Sequence, residues 1–151
     1  MKIYSKSLFT TILTLSSLFL LSDCKKDEDV ITYELTLTAT KSANGSTNFA
    51  EIKYADGSKV VQTITNSTTN FSTTFAITAN SVISFSVKGT ASGGSTAALP
   101  TPLIGYKVEK ITNGTVREAV CNEFAASLNG SNGSYSFEKA FTKSFDGSTC
   151  N

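Results

Sequence analysis

From Ile31 onward the chain alternates apolar and polar positions. Ile31, Tyr33, Leu35, Leu37 and Ala39 fall on one side, with Thr32, Glu34, Thr36, Thr38 and Thr40 on the other. A period of two puts successive side chains on opposite faces of an extended chain, so this stretch predicts a half-buried strand. The alternation returns at Phe71, Thr73, Phe75, Ile77 and Ala79, at Ile83, Phe85 and Val87, and at Ile104, Tyr106 and Val108. A last strand is expected from Ser134 to Phe145.

Between these runs lie residues that suit turns. Asp56-Gly57 separates Glu51–Ala55 from Ser58–Gln62, and Asn113-Gly114 ends the run that begins at Ile104. Both dipeptides accept positive φ at two successive positions and so predict two-residue type I′ hairpins. The first register sets Ala55 against Ser58, Lys53 against Val60 and Ile52 against Val61. The second sets Ile111 against Val116, Val108 against Ala119 and Tyr106 against Cys121, which puts Tyr106, Val108, Ala119 and Cys121 on one core-facing side. Asn44-Gly45-Ser46, Asn66–Asn70, Asn80-Ser81 and Asn129–Gly133 read as further turns. Ala91–Pro102 has no periodicity and predicts a mobile loop, while Asn122–Leu128 fits either a short helix or an edge strand. Seven to nine short strands divided by turns predict an all-β chain. The expected architecture is an antiparallel β-sandwich of immunoglobulin-like or transthyretin-like kind, with a small closed β-barrel as the alternative.

The first 29 residues follow a different pattern. Lys2 and Lys6 precede an uncharged run from Ser7 to Ser22, then come Leu21-Ser22-Asp23-Cys24 and the charged Lys25-Lys26-Asp27-Glu28-Asp29. The apolar run is short for a bilayer-spanning helix, which needs about 20 residues, and has the layout of a cleaved signal. It resembles the signal of bacterial lipoproteins, whose lipobox cysteine is thioether-linked to diacylglycerol, becomes the new N-terminus and is acylated again. The resemblance implies a signal peptide over 1–23, lipidation at Cys24, a charged tether over 24–29 and one domain over 30–151. Asp23 stands where lipoboxes favour a small residue, as in the permissive spirochaetal form. Lys26-Asp27-Glu28-Asp29 is similar to the surface-export tag of Bacteroidota lipoproteins, and also suits a solvated tether that cannot pack. Two or more acyl chains hold a protein stably to a membrane.

Cleavage before Cys24 leaves 128 of the 151 residues, with 11 basic and 11 acidic side chains. Such a neutral chain lacks the basic surplus of a nucleic-acid binder. The sequence has no histidine, which removes the usual general base near neutral pH, the commonest metal ligand and any Ser-His-Asp or Cys-His arrangement. Carboxylate pairs remain to be weighed. The expected hairpin sets Glu109 against Glu118, but Lys110 and Arg117 beside them favour a solvated strand surface over a hydrolytic pair. Asp56-Gly57-Ser58 and Asp146-Gly147-Ser148 are too poor in carboxylates to bind calcium and read as turns. No catalytic, metal or cofactor-binding residue is therefore expected. The six Asn-x-Ser/Thr triplets fit Asn-containing turns in a hydroxyl-rich β protein.

Cys121 and Cys150 form an even pair in a chain expected to be exported, which predicts a disulfide; the alternative is two unpaired thiols. Two cysteines without histidine cannot complete a tetrahedral zinc site. Closing a loop of this size is worth about 3.5 kcal/mol by chain entropy.

Tyr33-Glu34-Leu35-Thr36, Ile52-Lys53-Tyr54-Ala55-Asp56-Gly57, a Phe-rich strand and a C-terminal cysteine are together similar to MmpS-like small β-sandwich envelope proteins. Those are accessory partners of lipid transporters. The resemblance implies the sandwich; the family's Leu-Pro-Trp signature is absent, so no functional residue carries over. The expectation is a non-catalytic binding domain, lipid-anchored at the outer membrane on its surface or periplasmic face, with a protein or glycan ligand. Accessory subunit of an envelope transporter and surface adhesin are the alternatives. The contact surfaces are expected on the loops Ala91–Pro102 and Asn122–Gly133, because binding residues concentrate on loops of rigid scaffolds.

Overall fold

The computed structural model describes residues 28–56, 59–94, 98–125 and 127–151. Among the described residues nine strands follow one another: β1 (Ile31–Thr40), β2 (Ser46–Asp56), β3 (Lys59–Ser67), β4 (Phe71–Ile77), β5 (Ser81–Ser92), β6 (Leu103–Thr112), β7 (Val116–Ala125), β8 (Asn129–Ser131) and β9 (Ser134–Phe145). They form two antiparallel sheets, ordered β4-β1-β6-β7 and β3-β2-β5-β9-β8. The chain is therefore a β-sandwich of two open sheets, not a closed barrel.

The alternation read from the sequence becomes burial. On β1, Leu35, Leu37 and Ala39 are buried; on β9, Phe137, Phe141 and Phe145 are. Between the sheets, side chains interdigitate. Tyr106 meets Phe141 edge-on at 5.4 Å, Phe141 stacks with Phe85 at 6.3 Å, and Phe85 stacks with Phe71 at 6.1 Å. Tyr54 continues the series against Phe71 at 5.8 Å and Phe75 at 6.0 Å. Tyr106, Phe71 and Phe75 belong to the four-stranded sheet, and the other three belong to the five-stranded one. Each ring of one sheet thus seats against rings of the other, which is how two sheet faces about 10 Å apart fill their gap. The Tyr54 hydroxyl donates to Gln62 Oε1 at 2.8 Å, so this buried ring keeps its polar end satisfied.

Both hairpin registers differ from the expectation. In the first, Asp56 pairs with Lys59 and Ala55 with Val60, and a bulge at Tyr54/Ala55 carries the offset further, so Ile52 faces Ile64. The Gly57-Ser58 turn itself lies outside the described residues. In the second, Asn113-Gly114-Thr115 forms the loop and Thr112 pairs with Val116. Asn113 and Gly114 do take the expected positive φ, 53° and 72°, and the Thr115 amide donates to the Thr112 carbonyl. A bulge then leaves Val120 unopposed: Glu109 faces Ala119, while Val108 faces Cys121. Val120 and Cys121 both pack against the core, and Ala119, expected inside, is exposed. An extra residue in one strand turns two neighbours the same way, which strict alternation cannot do.

One open alternative is settled and one loop boundary is corrected. β7 continues through Ala125, so Asn122–Ala125 is edge strand, not helix. In the expected mobile loop, Ala91 and Ser92 belong to β5, and Pro100 and Pro102 are fully buried. Pro100 closes the end of the core beside Gly45 and Gly94, where a side chain on either glycine would collide with backbone.

Because Phe85 is fully buried in the middle of the aromatic series, Phe85→Ala is expected to cost about 3–5 kcal/mol of stability. Val82→Ala on the same strand's exposed side should change it by under about 0.5 kcal/mol. Urea unfolding of the two variants measures both.

Candidate functional site

Strand directions sort the connections into two ends. β1 leaves the N-terminal approach at one end, and the β2–β3, β4–β5 and β6–β7 turns lie with it, as does the C-terminal turn. The β1–β2, β3–β4, β5–β6, β7–β8 and β8–β9 connections lie at the other. A ten-residue strand such as β1 separates the two by about 33 Å.

The expected contact loops share the far end and touch each other. The Gly93 amide donates to the Gly133 carbonyl at 3.0 Å, and Ser92 pairs with Ser134. Neighbouring loops are tied in as well. The Lys41 amide donates to Asn70 Oδ1 at 2.9 Å, and the Ser42 amide donates to the buried Thr47 hydroxyl at 3.2 Å. Beside this rim three large apolar side chains face solvent: Leu99 at 44%, Leu103 at 52% and Phe124 at 44% exposure. Phe124 lies over Gly105, its cross-strand partner, in space that any side chain at 105 would occupy. The sequence reading missed this patch. Its signal was Leu103, which is out of phase with the buried Ile104, Tyr106 and Val108.

The open side between β7 and β9 carries charge. Lys139 and Lys143 lie on the inward face of β9 with Phe137, Phe141 and Phe145, and Glu123 reaches them from β7 at 3.6 Å and 3.5 Å. Lys139 also sits 4.7 Å above the Phe141 ring. Burial, helped by the Glu123 charge, raises the Tyr106 hydroxyl above its ordinary pKa. Two ammonium groups around one carboxylate leave one positive charge, which discourages strand addition to this partly open edge. β8 covers only Ser134–Ser136 of β9.

The carboxylate pair weighed in the sequence is not brought together. Glu118 pairs with Lys110, one position out of step with Glu109. Glu109 instead lies beside Glu34 of β1. Arg117 joins them, 2.6 Å from Glu34 and 3.5 Å from Glu109, and Lys107 is 2.7 Å from Glu109. The Lys107 bond, with Arg117 nearby, lowers the Glu109 pKa and so favours its ionised form. Among the described residues, no three His, Cys, Asp or Glu side chains gather as a metal site.

Cys121 and Cys150 are joined as a disulfide pair, with Cα atoms 6.1 Å apart. The C-terminal turn delivers Cys150. Asp146 Oδ1 accepts from the Ser148 and Thr149 amides, both at 2.7 Å, and from the Ser148 hydroxyl at 2.9 Å. Its Oδ2 accepts from the Thr149 hydroxyl at 2.9 Å. The chain then pairs back on β9, with amide–carbonyl bonds both ways between Ser144 and Asn151. A 270 Å³ depression beside this turn is lined by Lys110, Glu118, Val120 and Ser148. Cys24, the expected signal peptide over 1–23 and the part of the expected tether up to Asp27 lie outside the described residues.

The four bonds hold the Asp146 carboxyl far below its ordinary value of 3.8. A depressed folded pKa contributes stability that is complete above the ordinary value and lost only as pH falls through the depressed one. The Ser148 and Thr149 amide resonances should therefore keep their neutral-pH positions at pH values where free aspartate is already protonated. Asp146→Ala removes the acceptor, and the Cys121–Cys150 bond should then be reduced several-fold faster by dithiothreitol than in the parent, read by thiol alkylation. No family model, no curated protein and no solved structure matches this chain.

Proposed function

We propose that the protein is a lipid-anchored lipoprotein of the bacterial cell envelope whose sandwich binds a partner and does no catalysis. The observation that carries the reading is the placement of the ends. The chain enters the sandwich at Ile31, seven residues after the lipobox-like Cys24 in sequence, and the contact loops lie at the end opposite Ile31, about 33 Å away. A domain held by lipid at one end offers the other to its surroundings. The absence of histidine from the sequence and the cation neighbours of Glu34 and Glu109 support a binding role over hydrolysis.

The exposed Leu99, Leu103 and Phe124 favour a protein partner over a glycan, because aliphatic side chains bury well against another protein and poorly against hydroxyl-covered sugar. An accessory subunit of an envelope transporter, on the periplasmic face of the outer membrane, is the second reading that this patch favours. An adhesin would present the same end outward from the cell surface.

Cys24→Ser should abolish palmitate incorporation and leave the protein unprocessed or released from the membrane fraction. Palmitate labelling that persists in the variant would overturn the anchor. Protease treatment of whole cells should remove the domain if it stands on the surface. Protection in whole cells, with cleavage after outer-membrane permeabilisation, would assign the periplasmic face.

A further inference from the structure

Apolar side chains are also exposed at the near end. Val30 is 66%, Ile31 45% and Val116 63% exposed. Register places two of them in one row, since Ile31 pairs with Thr112 and Thr112 pairs with Val116. Val30 is fixed beside that row, donating to Asn113 Oδ1 at 2.9 Å and accepting from the Asn113 amide at 2.8 Å. Beside them runs an apolar-walled groove of about 410 Å³ lined by Ile31, Tyr33, Ala76, Ile77 and Ala79.

The tether is held at this same rim. Asn113 Nδ2 donates to Asp29 Oδ1 at 2.8 Å, so the chain is fixed from Asp29 onward. Five Cα steps separate Asp29 from Cys24, and a fully extended chain covers at most about 18 Å in that distance. A lipid on Cys24 therefore keeps the rim within that distance of the bilayer, whatever path the intervening residues take.

We propose that this end is a membrane-contacting face, with Val30, Ile31 and Val116 resting in the interfacial layer of the bilayer that carries the Cys24 lipid. The inference rests on the anchored reading above and adds an orientation to it. A domain joined only by a tether would tilt freely. One whose apolar rim is covered by the interface stands upright, with Leu99, Leu103 and Phe124 directed away from the membrane. β-branched aliphatic side chains at the end of a sheet gain from leaving water, and the interface takes them up without a folded partner.

The test uses the lipidated full chain reconstituted into phosphatidylcholine vesicles. Val116→Cys, Val30→Cys and, as the far-end control, Leu103→Cys each supply one free thiol, because Cys24 carries lipid and Cys121 is paired with Cys150. All three positions are exposed, so the substitutions leave the core intact. Each thiol is labelled with bimane, and its fluorescence is compared in plain and in chain-brominated phosphatidylcholine. Bromines buried in a hydrocarbon layer about 15 Å deep per leaflet reach only probes at the interface, so a roughly twofold loss is expected at 116 and 30, and none at 103. Vesicle flotation is read on the same samples. Protein that floats without quenching at 116 and 30, or with equal quenching at 103, overturns the membrane-contacting face and leaves the anchor standing. Protein that fails to float overturns the anchor, and this inference with it.

Discussion

The aromatic series through Phe141, Phe85, Phe71 and Tyr54 is the contact on which the sandwich depends. β5 is the middle strand of the five-stranded sheet, and Phe85 at its centre stacks on Phe141 of the neighbouring strand and on Phe71 of the opposing sheet. A sandwich has no helix to cover a sheet, so each sheet is the other's only source of burial. Rings suit that role because each removes a large area from water while ordering few torsions. The register of β2, β5 and β9 follows, since only one alignment brings Tyr54, Phe85 and Phe141 into a single row.

Around that row, polar features act at the margins. The sheet edges are managed by short β8, by the C-terminal residues folded back on β9, and by Lys139 and Lys143 turned inward towards Glu123. The disulfide joins β7 of one sheet to the tail of β9 in the other, so it crosses the same open side as the Glu123 ion pairs. Exposed ion pairs contribute little stability each, and their weight here lies in blocking unwanted strand pairing. The Asp146 turn belongs with them, because it aims Cys150 at Cys121.

The outcome is a domain with two unlike ends. The near end holds Asp29 and Val30 against Asn113 and carries small β-branched side chains. The far end gathers five connections and the larger apolar group around Phe124. A lipid at Cys24 would give that asymmetry a direction, and position relative to the membrane then becomes part of what the domain does.

By itself the sequence determined the strands and their inward faces. The alternation in β1 was read to the residue because its inward positions, Tyr33, Leu35, Leu37 and Ala39, are apolar and its outward ones are Thr or Glu, whereas β9 was legible only as a strand, since Lys139 and Lys143 share its inward face with the phenylalanines. The paired cysteines and the positive φ at Asn113-Gly114 were legible for an equally local reason, the chemistry of single residues. Registers were not. Whether β7 bulges at Val120 depends on β1 holding β6 in phase from one side while Cys121 must reach Cys150 on the other. Likewise, the burial of Pro100 was not legible, because it comes from packing beside Gly45 and Gly94, residues distant in the chain or without a side chain to signal it. Local pattern fixes which way a strand faces. Only the assembled sheets decide what it faces, because a register is chosen by neighbours on both edges at once.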